Sequence, residues 1–396
     1  MKAFSTIAEQ VQASTTLALD ALYKQMKADG VDVIGFAAGE PDFATPDYIK
    51  YAGVEAIVNN ATKYTPASGT MDLKKAVCHR LKEDLGVDYE PANIVCSSGA
   101  KHCLYVALRA IINPGDEVII PVPAWVTYNE MVKMVSGVPV TVRCTEEENF
   151  KLTPEKLEAA ITDKTKCVML NNPSNPTGML YNKEELQGLA DVCVKHDLFI
   201  IADEIYYKLL YDGREFTSIA SLGEQVKELT IIINGVSKSY AMTGWRIGYI
   251  AADKRVTSVI SKYLSHSTGN PSAPAQAASV VALNAPQDTV EEMRKAFEAR
   301  RDYMVERMNQ ITGVSCLKPE GAFYVMMNIS KLIGKTIHGQ VIRDADDFGD
   351  IFLKEGLVCI VPCTGFGDPN FLRWSYATSM ENIKEGLDRL EKFLAE

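Results

Sequence analysis

The sequence predicts an α/β protein with a mainly parallel central sheet flanked by helices in a large domain, plus a smaller α+β domain. Three observations predict it. The chain has 396 residues, more than one hydrophobic core usually supports. From about residue 94 to 251, short apolar runs bounded by turn residues alternate with helical patterns, as expected of a doubly wound sheet. After a long Glu-, Arg- and Met-rich helical stretch, Asp288 to Ile311, the pattern changes to strands and helices of a second kind.

Taken in order, residues 1–13 read as a loosely held arm. Ser14 or Thr15 then caps an amphipathic helix bearing Leu17, Leu19, Leu22 and Met26, which Gly30 stops. A strand over Val31–Ala38 leads into the turn-rich Gly39-Glu40-Pro41-Asp42-Phe43. Strands follow near 94–97, 117–120, 138–142, 166–170, 198–202, 229–234 and 247–251. Beyond the long helix, strands are expected near 322–328, 358–361 and 370–376, with helices near 346–355 and 380–395. The smaller unit so formed also offers the N-terminal helix a place to pack.

Composition excludes several classes of function. A net charge of −10, with 41 Lys and Arg scattered along the chain, opposes binding to nucleic acid or anionic membrane. The nine cysteines fall at irregular spacings without paired CxxC arrays, so reduced thiols are expected and a zinc site is not. Five histidines without ligand spacing point away from metal catalysis. No signal-like apolar core opens the chain and no apolar run approaches membrane length, so the cytoplasm is the expected location.

The chemistry concentrates where strands end, the place open α/β sheets put their ligands. After the β-branched run LTIIIN comes SKSYAMTGWRIGY, residues 237–249. Lys238 suits imine formation with an aldehyde, while Ser237 and Arg246 suit a phosphate, and pyridoxal phosphate carries both. By itself the segment also fits an ordinary loop with a solvated lysine. Asp203, closing the strand in LFIIADEIY, is a desolvated carboxylate that needs a cation. A pyridinium nitrogen qualifies, as does a helix cap or ion pair. Tyr206 lies three residues on, within reach of a ring oxygen. In NNPSNPTG, two prolines and a glycine shape a turn from which Asn175 can face the same ring, although a plain turn has the same composition.

Ser98, Gly99 and Ala100 open a helix whose N-terminus suits an anion, but neither Walker A nor GxGxxG spacing is present. Trp125, after EVIIPVP, fits a ring-stacking role or a place in the core. Arg373, on the strand in FLRWSYA, needs an anionic partner, whether a substrate carboxylate or a structural acid. Tyr64 in TKYTPASG has no role that these arguments supply.

Together these segments, from STTLALDA through GEPDF, TKYTP, SSGAK, PAWVTY, NNPSNPTG, DEIY, SKSYAMTGWRIGY and GAFYV to FLRWSYA, resemble the class I aminotransferases of pyridoxal-phosphate fold type I. The likeness spans nearly the whole chain and is greatest to the bacterial branch of the aspartate aminotransferases. The resemblance implies that Lys238 carries the cofactor as an imine, Asp203 binds the ring nitrogen, Asn175 and Tyr206 contact the ring oxygen, and Trp125 stacks on the ring. It assigns the phosphate to Gly99, Ala100, Lys101, Ser237 and Arg246, with Tyr64 reaching the phosphate of the neighbouring subunit of a homodimer. Gly39, through its backbone, and Arg373 would hold the substrate α-carboxylate.

The implied domains are an arm (1–13), a small domain (14–46 with 290–396) and a large cofactor-binding domain (47–289). One departure bears on substrate. Animal-type aspartate enzymes take the distal carboxylate with a partner-subunit arginine, and the corresponding SHSTGNPSA has none. Lys101 is the bacterial substitute, in competition with its phosphate role. The implied reaction is ping-pong transfer from an L-amino acid, aspartate first, to 2-oxoglutarate. An aromatic amino acid or prephenate as substrate, or a lyase on the same fold, stays open.

Overall fold

The computed structural model describes residues 2–395. Its strands are β1 (Ile34–Gly35), β2 (Ile94–Ser97), β3 (Glu117–Val122), β4 (Val138–Arg143), β5 (Thr165–Asn171), β6 (Phe199–Asp203), β7 (Thr230–Gly235), β8 (Gly248–Ala251), β9 (Tyr324–Asn328), β10 (Thr336–Ile337), β11 (Gln340–Val341), β12 (Val358–Cys359), β13 (Val361–Pro362) and β14 (Phe371–Ser375). Seven of them form the central sheet in the order β2-β8-β7-β6-β5-β3-β4. All pairings are parallel except those of β8, which runs against both β2 and β7.

Burial on both faces explains why β7 reads TIIING with no polar alternation. In register, Asn171 on β5 pairs with Asp203 on β6, and Asp203 with Ile233 on β7. The parallel crossovers therefore deliver Asn171, Asp203 and the segment after Gly235 to one carboxyl edge.

The helix Ala100–Ile111 starts at that edge, behind Gly99 with φ 86°. It presses unusually close to the sheet. A Cβ on Gly248 would lie 2.3 Å from the Ala100 nitrogen and 2.4 Å from the Gly99 carbonyl carbon. Only a glycine at 248 permits this approach.

The second unit packs the helix Asp288–Gln310 and the C-terminal helix Met380–Ala395 against an antiparallel sheet, β13-β14-β9. Three sequence expectations change here. The strand expected over 31–38 shrinks to Ile34–Gly35, because beyond it the chain turns to the cleft and the Ala37 carbonyl is taken by Arg373. The strand expected at 358–361 is two, since β12 pairs with β1 while β13 pairs with β14. The arm holds a short helix, Thr6–Gln10, and Gln12 N donates to Glu130 Oε2 at 2.8 Å; Met1 lies outside the described residues.

The helix Thr15–Ala28 is capped by Ser14 but buries no residue fully. Leu19, Tyr23 and Met26 pack against the cluster that holds Cys359, Val361 and Phe371, whereas Leu17 (64%) and Leu22 (46%) stay exposed. The nine cysteines are all free thiols. Among the described residues no helix is long and apolar enough to cross a membrane.

Gly248→Ala forces the helix Ala100–Ile111 off the sheet. It should cost about 1–3 kcal/mol of stability, read as a lower thermal midpoint of the ligand-free protein.

Candidate active site

At the carboxyl edge the two units enclose a cleft of about 350 Å³. Asp203 and Tyr206 reach it from the end of β6, Ser237, Lys238 and Arg246 from the loop after β7, and Ala100 and Lys101 from the helix start. Trp125 enters after β3, Asn175 from the turn after β5, and Arg373 and Gly39 from the opposite side. Two sequence-predicted residues lie elsewhere. Gly99 sits behind Arg246, and Tyr64 is 99% exposed, away from this cleft.

Asp203 is buried, and its hydrogen bonds come from neutral donors, Tyr128 Oη at 2.7 Å and the Ile205 amide at 3.3 Å. Burial pushes its carboxyl up from 3.8 to about 6, against the pull of Tyr128 and of the more distant Lys238 amine. A cation at Oδ would reverse that shift. Lys238 donates to the Gly39 carbonyl. Its amine is pulled down to about 8, chiefly by desolvation, with Arg373 and Arg246 adding to the effect and Glu40 and Asp203 opposing it.

Arg246 and the helix start form a cradle. The Arg246 backbone is left-handed, φ 57°, and its guanidinium donates to the carbonyls of Thr243 (2.7 Å) and Ser98 (3.2 Å). A Cβ on Gly99 would fall 2.1 Å from Arg246 Nη2, so a glycine is required there. The helix start at Ala100 and Lys101 beside an arginine bound only to carbonyls makes a site for a dianion.

Arg373 is 2% exposed and has no acidic partner. Nη1 donates to Asn175 Oδ1 and Nη2 to the Ala37 carbonyl, both at 3.0 Å, while Nε is buried without a partner. Tyr324 and Phe366 rings flank the guanidinium at 4.3 and 5.2 Å. A desolvated guanidinium held only by neutral acceptors calls for a carboxylate. Lys101 lies 4.7 Å from the centre of the Trp125 ring, and desolvation and then Arg246 lower its pKa. The Asn175–Pro176 bond is cis, as are Asn172–Pro173 and Val122–Pro123, which the sequence did not disclose.

Four residues of this site escaped sequence reasoning. Tyr128, three residues past Trp125, is the hydrogen-bond partner of Asp203. Tyr324, in the quoted GAFYV, meets the Tyr206 hydroxyl at 3.2 Å and walls Arg373. Glu40 and Thr243 join at 2.7 Å at the cleft's mouth. The four cations Lys101, Lys238, Arg246 and Arg373 face three acids, Asp20, Glu40 and Asp203, so the cleft is locally positive in an acidic chain. Among the described residues no three His, Cys, Asp or Glu side chains cluster as a metal site would.

The Asp203 carboxyl titrates higher folded (about 6) than its ordinary 3.8, so folding favours the protonated acid. The penalty on the ionised form is complete above about pH 6 and gone below about 3.8. Asp203→Asn should therefore stabilise the ligand-free protein by about 2–3 kcal/mol at neutral pH, with the gain vanishing near pH 3.5. Denaturant titrations at the two pH values test this.

Comparison with known proteins agrees with this geometry. The family described as "Aminotransferase class I and II" matches residues 31–390. The aspartate aminotransferase of Bacillus sp. (strain YM-2) is 48% identical over 96% of both chains, and that of Bacillus subtilis (strain 168) is 46% identical over 98% of both. The crystal structure of the aspartate aminotransferase from Rhizobium meliloti superposes with a TM-score of 0.96 at 41% identity, covering 99% of this chain and 98% of that one. The chain thus belongs to the class I and II aminotransferases, enzymes that work with pyridoxal 5'-phosphate.

Proposed function

We propose that the protein transfers the amino group of L-aspartate to 2-oxoglutarate, with pyridoxal 5'-phosphate carried on Lys238. The cleft suits that cofactor in its own chemistry: a buried acid without a cation, an arginine and helix start open to a dianion, and an amine depressed to about 8. When bound, the cofactor supplies a protonated ring that draws electrons from the substrate's α-carbon.

In this reading Asp203 keeps the ring nitrogen protonated, and Tyr128 holds that acid in place. Tyr206 offers a hydroxyl to the ring oxygen. Asn175 offers its amide nitrogen, since its oxygen already accepts from Arg373. Trp125 covers the ring face. Ser237, Arg246 and the amides at Ala100 and Lys101 hold the phosphate; the Gly99 amide is taken by the Ser97 carbonyl at 2.7 Å, and Gly99 serves by leaving room for Arg246.

Arg373 takes the substrate α-carboxylate in a fork and, with the Gly39 backbone, fixes the direction of the Cα–H bond; this alignment selects proton loss. Lys238, when free, accepts that proton at Nζ from Cα and would return it on the same face, to the cofactor carbon that bore the aldehyde. An amine with a pKa of about 8 is about a tenth unprotonated at pH 7, so a base is at hand without strong alkali. Substrates enter and leave in turn, which gives ping-pong kinetics.

The observation that carries the acidic assignment is Lys101. It adds to Arg373 a second cation facing the cleft, its amine over the Trp125 ring. A dicarboxylate satisfies both. We further place residues 14–46 with 290–396 in a small domain and 47–289 in a large one, and assign the enzyme to the cytoplasm on its nine free thiols.

The active unit is a homodimer in this reading. Tyr51, Val54, Ile57 and Val58 leave an apolar stripe exposed on the helix Asp47–Val58, with Tyr64 and Met71 nearby in sequence. Tyr64 then reaches the partner's phosphate.

Single-turnover absorbance with individual amino acids should show fast conversion by aspartate and glutamate and slow conversion by alanine and phenylalanine. Lys101→Ala should cut the aspartate-to-alanine ratio of kcat/KM at least about tenfold with cofactor retained; an unchanged ratio removes Lys101 from the distal site. Tyr64→Phe should weaken cofactor retention several-fold in equilibrium dialysis, although Tyr64 lies outside its own cleft.

A further inference from the structure

The segment 36–43 holds no helix or strand, yet it serves both sides of the cleft. Its beginning is pinned to the small sheet, with Phe36 N donating to Cys359 O at 2.7 Å and Ser375 N to Phe36 O at 2.9 Å. Its end is pinned to the long helix, with Arg300 Nη1 donating to Asp42 Oδ1 at 2.8 Å and the guanidinium stacked over Phe43 and Phe297. Between these anchors the Ala37 carbonyl accepts from Arg373 and the Gly39 carbonyl from Lys238. The one side chain that reaches across is Glu40, whose Oε2 accepts from Thr243 Oγ1 at 2.7 Å. Thr243 in turn gives its backbone carbonyl to Arg246 Nη1 at 2.7 Å.

We infer that Glu40 is a positioning residue: through the Thr243 hydroxyl it ties the segment that orients Arg373 and the Gly39 backbone to the loop that orients Arg246. The tie spans 203 positions of sequence and closes the mouth of the cleft. It joins the group proposed for the substrate α-carboxylate to the group proposed for the cofactor phosphate, and so deepens the reading above and rests on it. Glu40 and Gly39 are exposed. A hydrogen bond in that setting adds little to global stability. Its effect falls on the geometry of a bound ligand, because without it residues 38–41 are held to the lysine loop only by the Lys238 bond to the Gly39 carbonyl and, beyond the segment, by Thr45 Oγ1 on the Ala241 carbonyl. Glu40 is also the acid that most opposes the depression of the Lys238 amine, which places its charge close to the reacting centre.

The test uses the holoenzyme and succinate, an unreactive dicarboxylate, titrated by the absorbance of the bound cofactor. Glu40→Ala and Thr243→Val should each weaken succinate binding about fivefold, the worth of one such bond. The double variant should be no weaker than either single one, Thr243→Ser should restore the affinity, and thermal midpoints should stay within a degree or two of wild type. Additive losses in the double variant, or wild-type affinity in Thr243→Val, would overturn the inference. Should Glu40→Ala fail to fold, the Thr243→Val and Thr243→Ser pair decides alone. A wild-type protein with no borohydride-fixed cofactor on Lys238 would instead overturn the functional reading itself.

Discussion

The rest of the site is built around one unpaid charge. Asp203 ends β6 inside the sheet edge, 5% exposed, and the protein provides it with a phenol and an amide but no cation. Desolvating an acid in this way costs stability that a hydrophobic or amide side chain would keep. In the proposed reading the cofactor's ring nitrogen supplies the missing positive group. The parallel register sets what stands beside Asp203, since β5 and β7 hold Asn171 and Ile233 next to it and lead into the turns that carry Asn175, Ser237 and Lys238 to the cleft.

A second constraint is steric. The N-terminus of the helix Ala100–Ile111 can meet Arg246 only because two positions lack a Cβ, Gly99 against the guanidinium and Gly248 against the helix's first turn. The antiparallel strand β8 matters for the same reason. It brings Gly248 back beside Gly235 and Ser97, so the loop that carries Lys238 and Arg246 starts and ends on adjacent strands. A loop closed over so short a span holds its charged groups with little entropy left to lose.

The strands of the central sheet were legible because β-branched runs buried on both faces leave few other readings, and the residues at their ends inherit positions from the topology. For that reason Asp203, Lys238 and Asn175 stood out, and the structure gathers them in one cleft with Arg246 and Arg373. Partners that depend on tertiary approach were not legible. Tyr128 lies 75 positions from Asp203, and Glu40 lies 203 from Thr243, so no local pattern joins them. Tyr324 was quoted within a motif without a role, since only the fold brings its ring over Arg373. The strand expected at 31–38 stopped short for a related reason: past Gly35 the backbone of Phe36 still pairs with Cys359 and Ser375, but the carbonyls of Ala37 and Gly39 serve Arg373 and Lys238.

The charge balance shows why such a site sits in an acidic protein. With a net charge of −10 the surface repels anions at long range, yet four cations line the cleft. Screening over about 8–10 Å at physiological salt confines the global repulsion to the approach. Inside, where water is scarce, each cation–carboxylate contact gains in strength. Arg373 is then selective as well as strong. With Asn175 on one terminal nitrogen and Ala37 on the other, its orientation is set before any ligand arrives, and the flanking rings of Tyr324 and Phe366 restrict access to a flat, forked anion. In the proposed reading a substrate carboxylate meets that geometry with little loss of freedom, and the binding energy left over orients the bond that breaks.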